Sequence, residues 1–282
     1  MNGVLQVRKL DVEDYSALKD MDTGLDDDYV VRIFPELIAR ENNEVFGLFD
    51  ENQMIAVGGY TTFYNKYAML GRLRSDKRFY GQGHATYLLD QIIERVRQNP
   101  SIVWIGANTQ SNNLPARKVL KKIHMPALAT LHPLHIEQPE QIPHPDGPVW
   151  EMVQDVSAKR KWIESLTLEV FPYEAYYPLP FDNIYITDDY LSQSAMYINP
   201  AGDRIVLIQE DTKKHVYANV KYFWDDLFTQ PGLWKTIAYD KQQREAIDAI
   251  WMDVSPDVYA DLPAAFNSSQ DAWLLHGFRV TN

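Results

Sequence analysis

Arg78, Gly81 and Gly83 stand within six residues of one another, in "RSDKRFYGQGHATYLLDQIIERV" (74–96), just ahead of a strongly amphipathic run. Two glycines so near a helix start weaken it, because glycine loses the most backbone freedom on ordering. They suit a place where something must approach the backbone closely. A helix start exposes about four unpaired N–H groups and carries partial positive charge. Phosphate is the anion most often seated there. Arg72, Arg74, Lys77 and Arg78 add positive charge nearby. The string is not a Walker loop, since no Lys-Ser/Thr follows the last glycine. It also lacks the third glycine and the βαβ setting of a dinucleotide fingerprint. Two glycines alone are more often an ordinary turn.

The elements that must hold this loop are legible in the first half. "VLQVRKL" reads as a strand, with Asp11 capping a helix from about Val12 to Met21. In "DDDYVVRIFPELIAR", Val30, Val31, Phe34, Leu37 and Ile38 share one helical face and Pro35 invites a kink. "EVFGLFD", "MIAVGGYTTFY" and "YAMLGRLRS" are spaced as an antiparallel meander. Ala85, Leu88, Leu89, Ile92, Ile93 and Val96 follow the helical period. "SIVWIGANT" then reads as a buried strand. "NNLPARKVLKKIH" reads as a helix entered at Asn112 or Asn113, with Pro115 in its first turn.

Bulk properties bound the rest. The 282 residues suit two domains. Six prolines between 126 and 148 mark a boundary, giving a first domain over 1–130, a proline-rich linker over 131–149 and a second domain over 150–282. The net charge is −12, which argues against general nucleic-acid binding. No stretch approaches the ~20 apolar residues of a membrane span, and the N-terminus has no signal-peptide pattern. The absence of cysteine excludes disulfides, thiolate catalysis and cysteine metal sites, and a cytoplasmic home is expected. His124, His132, His135 and His144 cluster near the linker, but too few partner ligands accompany them, so no metal is expected.

The order of elements, with "RFYGQGHATYLL" and "IVWIGANTQSNNLPARKVLKKI", resembles the GNAT superfamily of acetyl-CoA-dependent N-acetyltransferases over about residues 4–128. The resemblance implies a mixed α/β (α+β) acyl-CoA N-acyltransferase fold with acetyl-CoA as cofactor. It implies pyrophosphate binding on the backbone of Phe79, Tyr80, Gly81, Gln82, Gly83, His84 and Ala85, with Arg78 leading the motif. It further implies that the strand carrying Leu73, Arg74 and Ser75 splays from "IVWIGAN", admitting the pantetheine arm. Leu73 would offer an amide to the thioester, and Asn108 and Asn113 would contact the arm. The expected reaction is direct attack by a neutral primary amine of a small molecule or amino acid.

The family pattern is incomplete here. Its usual acid tyrosine falls on Leu120, its terminal "GF" on His124-Met125, and the strand 67–75 carries no acid. Tyr60, Tyr64 and His124 are the available substitutes. Sheet packing and a helix-end dipole explain the same three residues without catalysis. Glu44 is a remote candidate base. A non-catalytic acyl-CoA binder or sensor, and an acetyltransferase for protein lysines or N-termini, are the alternatives. Either a monomer or a homodimer is compatible.

The second half carries no R-x-x-G-x-G loop. "NIYIT", "WKTIAY" and "AIWMDVS" read as strands, "AMYINPAGDRIVLIQE" as a hairpin, and "VKYFWDDLF" and "KQQREAIDAI" as helices. "DAWLLHGFRV" is similar to the end of a GNAT domain. A degenerate second copy and an unrelated α+β domain are both open. Short strings, "GRLRSDKRFYGQGHA" and "YYPLPFDN", also resemble a group of two-domain histidine N-acetyltransferases, which implies a free amino acid or small amine as acceptor.

Overall fold

The computed structural model describes residues 5–281, except 214, 245, 264, 265 and 267–270. Two compact units are present: Met1–Leu128 with Leu274–Asn282, and Ala129–Trp273.

The first unit opens with β1 (Leu5–Lys9); Val4 of the expected strand lies outside the described residues. Asp11 accepts from the Glu13 amide, and Asp14 returns a bond to the Asp11 amide, closing a capping box over the turn Val12–Asp14. That turn leads into α1 (Tyr15–Lys19). α2 (Tyr29–Ala39) is capped by the Asp28 side chain and tolerates Pro35 in its interior. β2 (Asn43–Asp50), β3 (Gln53–Phe63) and β4 (Tyr67–Ser75) form the expected antiparallel meander. α3 (His84–Arg97), β5 (Trp104–Gln110) and α4 (Leu114–Lys122) follow.

Strand alternation divides the first core in two. Phe46 and Leu48 of β2 pack with Leu88, Leu89, Ile92, Ile93 and Val96 of α3. Val45 and Phe49 pack on the other face with Leu18, Val30, Phe34 and Leu37 of α1 and α2. Burying each such side chain stabilises by about 1.5–3 kcal/mol, so the α3 stripe alone fixes the helix, and with it the glycine loop, against the meander.

The second unit starts with β6 (Ala127–Ile136) and a turn at Pro139–Gln141. β7 (Glu151–Met152), α5 (Val156–Ser165), and a hairpin of β8 (Val170–Glu174) and β9 (Tyr177–Pro180) come next. α6 (Asp188–Gln193), β10 (Ala195–Ile198), β11 (Ile205–Thr212) and β12 (Val216–Lys221) lead to α7 (Leu233–Gln242), β13 (Ala249–Val254) and α8 (Pro256–Ala260). The chain closes with β14 (Trp273–Arg279). From Leu274 on, β14 belongs to the first unit, where the Val280 amide donates to the Val103 carbonyl.

The second unit repeats the layout of the first. β7 pairs antiparallel with β10, β10–β11–β12 is an antiparallel meander, and β12 runs parallel to β13 after the crossover helix α7. The corresponding set is β1, β2–β3–β4, α3 and β5. The helices between the first strand and the meander, α1–α2 and α5–α6, also correspond.

Several expectations are corrected in this unit. Leu131–Ile136 belong to β6, with Pro133 opposite Asp253 of β13, so the segment 131–149 is not simply a linker. "WKTIAY" lies in α7, where Leu233, Trp234, Thr236, Ile237 and Ala238 are all buried. "VKYFWDDLF" is not helical: Val220 and Lys221 end β12, and the following turn is tied by Asp226, which accepts from Tyr222 and Gln230. "NIYIT" begins as a turn, Asn183–Tyr185, capped by Asp182. Of "KQQREAIDAI", Lys241 and Gln242 finish α7 and Ala249 and Ile250 open β13; Glu245 lies outside the described residues. Among the described residues, no helix is long and apolar enough to cross a membrane.

Candidate functional site

The loop between β4 and α3 is fixed from below. Asp76 is fully buried, and its carboxylate accepts from the backbone amides of Asp22 (3.3 Å) and Arg78 (2.9 Å) and from Arg78 Nε (2.8 Å). It thereby caps the turn Lys77–Phe79 and ties it to the α1–α2 connection. Hydrogen bonding from Arg78 holds the Asp76 carboxyl below its usual range despite burial.

The chain then passes through Gly81 (φ 81°) and Gly83 (φ 86°), a left-handed backbone that side chains other than glycine rarely adopt. A Cβ at either position would meet nothing within 4 Å. The backbone angle, rather than crowding inside the protein, therefore demands glycine, and the space above stays open. Gly83 is the N-cap of α3, and among the described residues no side chain caps it. The first intrahelical bond runs from the Tyr87 amide to the Gly83 carbonyl (3.0 Å). The amides ahead of it have no carbonyl one turn back to bond within the helix, as an anion site requires.

Beside this helix start the sheet forks. β4 pairs with β5 from Tyr67–Trp104 to Leu70–Ala107 and no further, so Gly71–Ser75 part from β5. A register shift opposite Val57–Gly59 places a bulge in β4, and Arg72 adopts φ 59° there. The Arg72 guanidinium donates to Asn43 Oδ1 (2.9 Å) and Thr61 Oγ1 (2.6 Å), which pins the bulge.

A cleft of about 470 Å³ joins fork and helix start. Of the residues singled out in the sequence, Leu73, Arg74, Ser75, Phe79, Tyr80, Gly81, Gly83, His84, Ala85 and Asn113 line it. Arg74 is also bound within the protein, with Nε on Asp28 Oδ2 at 2.7 Å. Arg78 is held by Asp76 and lines a separate recess with Asp50 and Gln53. The exposed Gln82 lies 3.2 Å from His84 Nε2. Asn108 is the first β5 residue beyond the paired stretch and does not line the cleft. Sequence reasoning missed Thr23 and Leu25 on the α1–α2 connection, Thr86 on α3, and Pro115, Ala116 and Val119 on α4, where Lys122 also lines the cleft. The α4 set has the helical spacing 115, 116, 119, 122, a signal that was available once Asn113 was taken as the cap.

The three acid–base candidates are not brought together. Tyr60 sits opposite Leu70, one step before the fork, and its hydroxyl donates to Glu44 Oε2 at 2.9 Å. Burial, with that hydrogen bond, pushes its phenol well above the usual range. Glu44 in turn pairs with Lys9 (2.8 Å). Tyr64 is in the β3–β4 turn with φ 51°, at the far end of β4 from the fork. His124, with φ 55° just past α4, takes the left-handed position that ends a helix. It lines a different recess, with Arg117, Lys121 and His276. Leu120, at the usual acid position, is buried in the core.

The corresponding helix start in the second unit is filled by its own chain. α7 also begins at a left-handed glycine, Gly232 (φ 74°). There, however, a Cβ would fall 2.1 Å from the Pro148 carbonyl oxygen, the Gly232 amide donates to Pro145, and the Trp150 amide donates to Thr236 Oγ1. The residues 145–150 occupy the place that stays open at α3.

Residues 5–125 match the model of the acetyltransferase (GNAT) family. No curated protein matches the sequence. Two solved structures share the fold along nearly the whole chain. One is a GCN5-related N-acetyltransferase from Sphaerobacter thermophilus, with TM-score 0.60 and 12% identity over 99% of this chain and 96% of that one. The other, described as an acetyltransferase, is from Thermoplasma acidophilum, with TM-score 0.54 and 15% identity over 95% of this chain and 89% of that one. At such identities the likeness concerns the fold.

Proposed function

We propose that this chain, whose residues 5–125 form a domain of the GNAT acetyltransferase family, moves the acetyl group of acetyl-CoA to a primary amine of a small molecule or amino acid by direct attack. The observation that carries this reading is the uncapped start of α3 opening into the same cleft as the β4–β5 fork. The residues fit the cofactor: the two left-handed glycines leave clear space at an uncapped helix start, and Gly71–Ser75 part from β5. Bound there, acetyl-CoA supplies an activated acyl group. The amides from Gly81 to Ala85 would hold its pyrophosphate, those of Phe79 and Tyr80 being bonded to the Asp76 and Lys77 carbonyls, and Asn113 would flank its arm. The Leu73 amide polarises the thioester carbonyl, where charge develops during attack. Lys122 on α4 adds a cation to the phosphate end. A cytoplasmic chain without cysteine fits this chemistry. The first 130 residues are taken as the catalytic domain, with the remainder shaping acceptor choice.

Leu120 in place of an acid, and the raised Tyr60 phenol, support catalysis mainly by holding the reactants in attack geometry. Tyr60→Phe is then expected to keep turnover within about tenfold, since a true proton-transfer residue contributes roughly 10²–10⁴-fold. Turnover abolished by Tyr60→Phe would instead make Tyr60 the catalyst. Release of free thiol from acetyl-CoA with a panel of small amines and amino acids tests the activity itself. If acetyl-CoA binds and no amine releases thiol, the chain is an acyl-CoA-binding module rather than an enzyme.

A further inference from the structure

The second unit forks as the first does. β12 and β13 pair in parallel from Tyr217–Ala249 to Val220–Met252 and then separate. The residues at this fork, one step on, are Lys221 and Asp253. Beyond them the chain lines a cleft of about 170 Å³ with Tyr222, Phe223, Trp224, Asp253, Val170 and Pro172. The first unit carries Gly71 and Asn108 at the corresponding places.

Two opposite charges stand here that attract each other through space but form no salt bridge among the described residues. Lys221 is 1% exposed. Among the described residues, its ammonium makes no ion pair; it meets the Asn219 carbonyl at 3.5 Å and the Tyr190 ring at 5.8 Å. Asp253 Oδ1 is 3.4 Å from Trp251 Nε1, while its buried Oδ2 has no hydrogen-bond partner. Asp253 is among the residues that line the cleft, with its Oδ2 withdrawn from solvent; Lys221 and Asn219 are not among them. Asn219, also 1% exposed, leaves both amide atoms without partners. Strand alternation puts Asn219 and Lys221 on one face of β12. The neighbouring charges are already engaged. Lys213 pairs with Glu174 at 2.7 Å, and Asp211 accepts from the Ala175 amide at 2.6 Å.

Buried polar groups are costly unless hydrogen-bonded, and a buried charge costs more. Three atoms without partners and an ammonium with one long hydrogen bond, at one fork beside a cleft, therefore point to a ligand that completes them. Its chemistry follows from the set: an anionic group for the Lys221 ammonium, a cationic donor for the Asp253 carboxylate, and an amide-compatible edge for Asn219. We infer that the fork between β12 and β13 is a binding site for a small zwitterion carrying both an ammonium and a carboxylate, of α-amino acid size. Burial pushes the Lys221 ammonium down to about 7 and the Asp253 carboxyl up to about 7. Each group is thus poised to take its charged form when a ligand of opposite sign arrives. Lys221 does not itself line the cleft; its four rotatable bonds would swing the ammonium past Tyr222 and Phe223 to meet a carboxylate there. The blocked start of α7 leaves this fork without a nucleotide seat, so the unit is a site for a small ligand alone. The inference does not depend on acetyl transfer.

The test uses the full chain without acetyl-CoA. Each common α-amino acid is titrated singly, with propionate and propylamine as one-charge controls, by calorimetry and by intrinsic tryptophan fluorescence, to which Trp224 and Trp251 at the fork contribute. At least one amino acid is expected to bind saturably, at least about tenfold tighter than either control. Amide exchange along β12 and β13 should slow on binding. Lys221→Met and Asp253→Asn should each weaken that binding by about tenfold or more. Lys221→Met takes the buried cation away from Asp253 and Asp211, so a lower melting temperature is expected alongside the weaker binding. Asp253→Asn keeps the shape and reports on the site even if Lys221→Met folds poorly. Failure of every amino acid to bind saturably, controls that bind equally well, or undiminished binding by Asp253→Asn would each overturn the site. None of these results bears on acetyl-CoA binding or thiol release.

Discussion

Gly81→Val is expected to lower acetyl-CoA affinity by about a hundredfold or more while the protein still folds. The backbone at Gly81 sits at φ 81°, where a β-branched residue is strained by about 1–3 kcal/mol. A Cβ there would touch nothing within 4 Å, so no internal packing is disrupted and the melting temperature should fall only modestly. The branched side chain instead projects toward the space that a pyrophosphate needs. Hydrogen bonds to charged groups contribute about 1.5–3 kcal/mol each. Losing two of them corresponds to roughly a hundredfold or more in affinity. Calorimetric titration gives the affinity, and a thermal scan of the same preparation gives the melting temperature. Unchanged affinity would remove the phosphate from this loop.

Asp76→Ala is expected to cost about 2–4 kcal/mol of stability and most of the acetyl-CoA affinity. Its carboxylate is the shared acceptor for the Asp22 and Arg78 amides, both bonds part-buried, and a donor left without a partner costs up to about 1–3 kcal/mol. Arg78 is half-exposed and regains water, so the backbone donors set the loss. The sign of the pH dependence follows from the lowered carboxyl. A group whose folded value is depressed contributes stability above its unfolded value, near 4, and loses it as pH falls through the folded value. Melting curves of wild type and Asp76→Ala should therefore lie apart at neutral pH and draw together below about pH 4. A constant gap down to strongly acid pH would show that the carboxylate charge contributes nothing.

The first unit was legible because its elements carry their own periods. Leu88, Leu89, Ile92, Ile93 and Val96 form a one-sided stripe, and all five are buried. The meander announced itself through the turns at Glu51-Asn52 and Asn65-Lys66. The second unit hid its periods. α7 buries Leu233, Trp234, Thr236, Ile237, Ala238 and Asp240, which leaves little polar face to reveal a helix. The run after β12 is rich in aromatics yet forms a turn, because Asp226 gathers the side chains of Tyr222, Gln230 and Arg204. The return of Leu274–Asn282 to the first unit is a long-range pairing that no local pattern encodes.

The site divides in the same way. Glycines before a helix stripe are a local signal, and the loop stands where it was expected. The two forks exist only in strand register, so Lys221 and Asp253 could not be singled out from residue types alone. His124 was drawn into the candidate acids by its chemistry. Its left-handed backbone and its separate recess show a residue that ends a helix.

A crystal structure of the full chain with coenzyme A bound tests the nucleotide seat most directly. The pyrophosphate oxygens should lie within hydrogen-bond reach of backbone amides from Gly81 to Ala85, with the thiol arm between β4 and β5 beside Leu73. Coenzyme A held at α7, or anywhere away from the start of α3, would contradict it.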